Sequence, residues 1–169
     1  NKKKGLPSNF VNTLFVSGDH LYIGTHAGLS IHNKGKFTNF KSPRVNKVVS
    51  IENDIYLATN KGVYHYRNDL LVPTNISAQI NVRIVQDIIQ YNEGYLIATP
   101  NGLWKVDRLN NPSNITKFDE DNYTSLRRWK GKIIGTTANH GVKIVGSKKV
   151  YDYDKLIHDI YIVDDQYWL

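Results

Sequence analysis

The chain has 169 residues, of which 40 % are hydrophobic and 22 % charged, with a formal net charge of +7 at neutral pH. A globular chain of this length buries about 70 % of the surface its unfolded form exposes, and no apolar run approaches the roughly 18 residues that a membrane helix needs. No Cys is present, which excludes disulfides, thiolate zinc sites and cysteine nucleophiles.

Residues 1–10 offer one short strand at most. They carry Lys2-Lys3-Lys4, one of three small basic clusters, the others being Arg127-Arg128 and Lys148-Lys149. Positive charge this scattered reads as solvated surface, with a polyanion such as an acidic glycan as the alternative partner. Nucleic-acid binding is not expected, because no recognised module is present.

From residue 11 the chain repeats. Four stretches of fifteen residues align without a gap: 11–25 (VNTLFVSGDHLYIGT), 45–59 (VNKVVSIENDIYLAT), 85–99 (VQDIIQYNEGYLIAT) and 122–136 (NYTSLRRWKGKIIGT). Each ends in a small residue followed by Thr, and Thr25, Thr59, Thr99 and Thr136 lie 34, 40 and 37 residues apart. Helical repeats of similar period need apolar positions at helical spacing. Here each unit is instead a series of short β-branched and aromatic runs broken by Gly, Asn, Asp and Lys, as in Leu14-Phe15-Val16, Leu21-Tyr22-Ile23, Leu29-Ser30-Ile31 and Phe37-Thr38-Asn39-Phe40.

Four strands per unit at this period predict β-propeller blades. Runs such as LYI, IYL and YLI are apolar on both faces, as strands between neighbouring blades must be. The small residues Gly24, Ala58, Ala98 and Gly135 are expected to let blades approach closely. The following turn reads T-x-x-G-hydrophobic at Thr25, Thr59 and Thr99, where the Gly supplies a positive φ to a hairpin. At Thr136 the turn carries two extra residues before Gly141. The connections 71–84 and 110–121 are long and contain Pro73 and Pro112.

A fifth copy begins at Ile157 and reaches Leu169 before its small-Thr pair. The expectation is therefore an all-β, single partial β-propeller domain over 1–169, an incomplete ring of four-stranded antiparallel blades. Their expected bounds are about 11–44, 45–84, 85–121 and 122–156, with part of a fifth at 157–169. The remaining blades would belong to a longer parent protein.

The stretch Gly5-Leu6-Pro7-Ser8-Asn9 with Val11, then Leu21-Tyr22-Ile23-Gly24-Thr25 and Gly28-Leu29, resembles the two-component regulator propeller repeat, whose pattern is roughly GLPSN-x-V followed by a G-x-LWIGT-x-x-GL core. The usual Trp is replaced by Tyr22, Tyr56, Leu96 and Ile133, and survives as Trp168. The resemblance implies the periplasmic ligand-sensing propeller of an inner-membrane hybrid two-component signalling protein. Such sensors commonly detect oligosaccharides released from glycans, and the histidine kinase of the parent would lie outside these residues. An interaction or homodimerisation scaffold without a small ligand is the alternative.

In a propeller the hairpin after the second strand and the loop entering the first emerge on one face. That placement makes His26, Asn60, Lys61, Asn101, Asn139 and His140 candidate ligand-binding residues, with Arg44, Arg83 and Arg127 near first-strand starts. Amides and guanidinium forks suit sugar hydroxyls and carboxylates, and Trp104 or Trp129 could stack on a sugar ring. The six His show no metal-ligand spacing, so neither metal nor cofactor is expected. Asp119-Glu120-Asp121 reads as a solvated loop. No nucleophile elbow, phosphate loop or dinucleotide fingerprint occurs, and neither an enzymatic activity nor membrane contact is expected of these residues.

Overall fold

The computed structural model describes residues 5–147, 150–151, 157, 159–163 and 166–168. Lys2-Lys3-Lys4, Lys148-Lys149, His158, Leu169 and the side chain of Trp168 lie outside the described residues.

The strands form four-stranded antiparallel sheets, each a meander in chain order. The first blade holds β1 (Val11–Ser17), β2 (His20–Thr25), β3 (Gly28–Asn33) and β4 (Lys36–Lys41). The second holds β5 (Val45–Ile51), β6 (Asp54–Thr59), β7 (Gly62–Arg67) and β8 (Leu70–Pro73), followed by one helical turn, α1 (Ile76–Gln79). The third holds β9 (Asp87–Tyr91), β10 (Gly94–Thr99), β11 (Gly102–Val106) and β12 (Ile115–Asp119). The fourth holds β13 (Tyr123–Trp129), β14 (Lys132–Thr137), β15 (Gly141–Ile144) and β16 (Val150–Tyr151), and a hairpin of β17 (Tyr161–Val163) and β18 (Gln166–Trp168) follows. The fold is thus all-β and made of propeller blades, with the short strands and tight turns read from the sequence. The turn chemistry is local: Lys34-Gly35, Glu52-Asn53, Asn68-Asp69 and Lys130-Gly131 all take positive φ, the mark of the hairpin turns that match strand twist. Among the described residues no helix is long and apolar enough to cross a membrane.

The chain divides into two compact units, one comprising residues up to 85 with 109–111, the other 86–108 with 112–169. In the first unit Tyr22, Leu29, Ile31, Val45, Val48, Ile55 and Leu57 form the core. Gly24 shows why this position is small: a Cβ there would lie 2.7 Å from Val45 Cγ1 and 2.5 Å from Thr13 Cγ2. In the second unit one core gathers Leu96, Ala98, Leu103, Tyr123, Leu126 and Ile133, and another gathers Ile134, Val142, Ile157 and Ile160.

The fourth blade departs from the gapless alignment by one residue. Val11 pairs with Thr25 and Val45 with Thr59, whereas Tyr123, not Asn122, pairs with Thr137, not Thr136. Thr137 is therefore the counterpart of Thr25, and its loop carries one extra residue rather than two. Gly135 has another reason to be small than blade approach, since its missing Cβ makes room for the Tyr123 ring of its own sheet, 2.5 Å away.

Candidate functional site

The repeated Thr is a buried staple. Thr25, Thr59 and Thr99 are fully buried, and each hydroxyl donates to the carbonyl of the Gly three residues on, at 2.9, 2.7 and 2.8 Å. Each also accepts the N–H of the second loop residue, Ala27, Lys61 or Asn101, at 3.1–3.2 Å. In the fourth blade His140 N–H donates to Thr137 Oγ1 at 3.0 Å across the longer loop. The closing glycines Gly28, Gly62, Gly102 and Gly141 all have positive φ. Two hydrogen bonds and one glycine hold the backbone of each loop, so its remaining side chains are free to vary.

Within the first unit, His26, Asn60 and Lys61 are exposed on such loops. His26 N–H donates to Phe10 C=O, with its ring stacked on Phe10 at 5.1 Å, and Asn60 N–H donates to Arg44 C=O. These bonds bring Arg44 beside Asn60 at the start of β5. Arg83 is exposed in the segment after α1. In the second unit Asn101 is exposed, and so are Asn139 and His140, whose Nε2 stands 3.9 Å from Asp121 Oδ1. Trp104 and Trp129 are half-buried, under the ammonium groups of Lys117 and Lys130.

Arg127 differs from the other candidates, because its donors are spent inside the protein. Its Nη1 bonds Asp87 Oδ2 at 3.0 Å and Leu126 C=O at 2.7 Å, its Nη2 bonds Asp159 Oδ1 at 2.5 Å, and its Nε bonds Ile160 C=O at 3.1 Å. Asp87 is 2 % exposed and also accepts the N–H groups of Ile88 and Leu126. Asp159 also accepts from Ser125 Oγ and from its neighbour Ile160 N–H. Arg127 is a clasp joining β9, β13 and the segment before β17.

Of the acidic cluster, Glu120 is a solvated loop residue with its side chain 81 % exposed, whereas Asp119 and Asp121 are not. Asp119 ends β12, and it and Asp121 hold Lys143 at 2.8 and 2.7 Å with side-chain exposures of 13, 25 and 14 %. The buried Tyr123 hydroxyl donates to Asp119 at 3.1 Å. Burial works against the Asp119 charge, but the bonds from Lys143, Asp121 N–H and Tyr123 outweigh it and hold its pKa below the ordinary value. Lys143 is raised: burial opposes its charge, and the two carboxylates overcome that. Burial, and then the nearby Asp119 charge, push Tyr123 far up. Among the described residues no three His, Asp or Glu side chains converge on a common metal position.

The third blade carries a cleft of about 500 Å³ lined by Asn92, Glu93, Gly94, Lys105, Val106, Asp107, Asn114 and Thr116. It lies at the end of the strands away from the Asn101 loop, and no sequence motif pointed to it.

No protein-family model matches the chain, and no curated protein matches it. Solved structures do. The extracellular domain of the putative one component system BT4673 from B. thetaiotaomicron matches with a TM-score of 0.75 at 16 % identity, over 95 % of this chain and 26 % of that one. The extracellular domain of the putative hybrid two component system BT3049 from the same organism matches at 0.73 and 17 %, over 94 % and 25 %. The WD40 β-propeller domain of Doa1 matches at 0.69 and 16 %, over 89 % and 56 %. The blades are β-propeller blades. The chain spans about a quarter of the length of the two B. thetaiotaomicron domains.

Proposed function

We propose that these residues are part of the extracytoplasmic, ligand-sensing propeller of a hybrid two-component signalling protein anchored in the inner membrane, and that the ligand is an oligosaccharide released from a glycan. The observation that carries this reading is the likeness of fold, over nearly the whole chain, to extracellular domains of putative one- and two-component systems. The family-like lead-in Gly5-Leu6-Pro7-Ser8-Asn9 supports it independently. Sensing of this kind needs reversible binding and no chemistry on the ligand, so we assign these residues no catalytic step. The exposed amides and cations of the Thr-x-x-Gly loops, Asn60, Lys61, Asn101 and Asn139 among them, suit sugar hydroxyls.

Further blades of the parent are the natural cover for the first sheet. Leu14 is 64 % exposed, whereas its counterparts Val48, Ile88 and Leu126 are 1, 2 and 2 % exposed. Val16, two residues on along β1 and so on the same face of the strand, is 69 % exposed. Calorimetric titration of the parent's whole extracytoplasmic region with oligosaccharide pools should give saturable heats, and silence toward every glycan pool would refute the reading.

That same surface favours a second reading, a homodimerisation scaffold that binds no small ligand. A stable dimer of the whole extracytoplasmic region, held through Leu14 and Val16 and indifferent to sugars, would favour it.

A further inference from the structure

The cleft of the third blade arises from two departures from the repeat. At the position before the second strand's apolar run, the first blade has His20, whose ring nitrogen bonds Asn33 Nδ2 at 2.8 Å, and the second has Asp54, 3.3 Å from His65. The third blade has Gly94 there. A Cβ on it would meet Val106 C=O at 2.3 Å, so this position is held empty of side chain. The cross-strand side-chain pair of the first two blades is therefore absent here, and Gly94 with the Val106-Asp107 backbone lines the cleft instead. The second departure is the join between the third and fourth strands, a tight turn at Lys34-Gly35 and at Asn68-Asp69 but a long connection from Asp107 to Asn114 in the third blade.

The connection is tied at its base. Asp107 accepts Ser113 N–H at 3.0 Å, Asn114 N–H at 3.1 Å, the Ser113 hydroxyl at 2.6 Å and Arg108 Nε at 3.2 Å. Asp107 N–H returns a bond to Asn114 C=O. These donors, Ser113 first, hold the Asp107 carboxyl well below the usual carboxylate range, so it is ionised and already fully engaged. Asn92 sits at positive φ in the opposing turn. Both walls of the cleft are therefore built by local backbone chemistry and need no ligand to form.

The groups offered between these walls are complementary in charge. Lys105 is half-buried with its ammonium 5.8 Å from the Tyr91 ring centre, and Glu93 is exposed on the other wall. Among the described residues neither has an ion-pair partner, although both line the same space. The amides of Asn92 and Asn114 and the hydroxyl of Thr116 complete the lining. Held apart, a cation and a carboxylate invite a molecule that accepts from one and donates to the other, and a sugar diol does both. The volume falls in the range of ligand sites, about 300–1,000 Å³.

We infer that this cleft is a binding site for a small hydroxyl-rich molecule of one or two sugar rings, seated between Glu93 and Lys105 on the floor left by Gly94. The inference rests on the sugar-sensing reading above and relocates its binding site from the Thr-x-x-Gly loops to the other end of the third blade.

The test is amide-resolved NMR on the full 169-residue chain, titrated separately with glucose, N-acetylglucosamine and glucuronate. The expected result is saturable perturbation of Asn92, Glu93, Gly94, Asn114 and Thr116 by at least one of the three. Replacing both Glu93→Ala and Lys105→Ala should abolish it with the spectrum otherwise unchanged, and Asn101→Ala should leave it intact. Perturbation confined to the loops at 25–28, 59–62 or 99–102 would overturn this placement and leave the sugar-sensing reading standing. Absence of any perturbation by the three sugars would overturn the site. The sensing reading itself stands or falls on calorimetry with the whole extracytoplasmic region.

Discussion

The two units join their blades by different chemistry at adjacent positions of one repeat. In the first unit the second residue of β1 and of β5 is the extra residue of a β-bulge, and both are Asn. The bulge turns the side chain out of the ladder, so Asn12 Nδ2 donates to Val45 C=O and Asn46 Nδ2 to Val85 C=O, each at 2.8 Å. In the second unit the third residue does the joining, as Asp87 takes Leu126 N–H and Arg127, and Asp159 takes Ser125 and Arg127 again. A neutral amide bonded to a carbonyl can be lost at modest expense. A carboxylate 3 % exposed needs its cation. The architecture is common to both, and the sensitivity to substitution is not.

The sharpest way to expose this difference is Arg127→Met. It takes the guanidinium away from the buried Asp87 carboxylate, and urea denaturation should record a loss of about 3–5 kcal/mol. Adding Asp87→Asn, which keeps an acceptor for Ile88 and Leu126, should recover part of that loss. Next comes the apolar part of the seam: Val48→Ala should cost about 2 kcal/mol, since Val48 is 1 % exposed. The amide joint ranks lower, and Asn12→Ala or Asn46→Ala should each cost about 1 kcal/mol by the same measurement. Smallest is Leu14→Ser, within about 0.5 kcal/mol, because that side chain is 64 % exposed among the described residues. A loss near that of Val48→Ala would mean that the first sheet is covered in solution.

Acid should sharpen the contrast. Asp119 is depressed in the folded state, so its contribution is present above the unfolded carboxylate value of about 3.9 and disappears as pH falls through the lower folded value. Lys143 is raised, so its share is present below the unfolded value of about 10.4 and disappears as pH rises through the folded one. Residue-resolved hydrogen exchange on acidification should show β12 and β15 of the second unit opening before β2 and β6 of the first. Lys143→Met should bring that difference out already at neutral pH and weaken its dependence on acid.

Much of the blade was legible because its signals are local. A buried Thr, a glycine with positive φ and a two-residue turn act within a few residues, and their repetition reveals the period. The Thr136-Thr137 pair shows the limit: the repeat pattern accepts either residue, and only the pairing of Tyr123 with Thr137 selects one. The role of Arg127 was hidden because its carboxylates are Asp87 and Asp159, remote in sequence and brought to it by register rather than spacing. Asp119 and Asp121 resembled solvent-facing acids until β15 placed Lys143 against them. The cleft at Gly94 was invisible for another reason. A missing side chain in one copy has meaning only when the partners its counterparts bond in the first two blades, Asn33 and His65, are known.

The Thr staple has a consequence for how such chains can be found at all. A blade asks for a small residue or Thr, a Thr and a Gly, with apolar character between them, and leaves most of its length unspecified. Two sequences can therefore share only 16 % identity while their backbones still superimpose with a TM-score of 0.75. What is shared is a sparse rhythm of positions, and searches tuned to that rhythm should recover other chains of this fold that residue-by-residue comparison passes over.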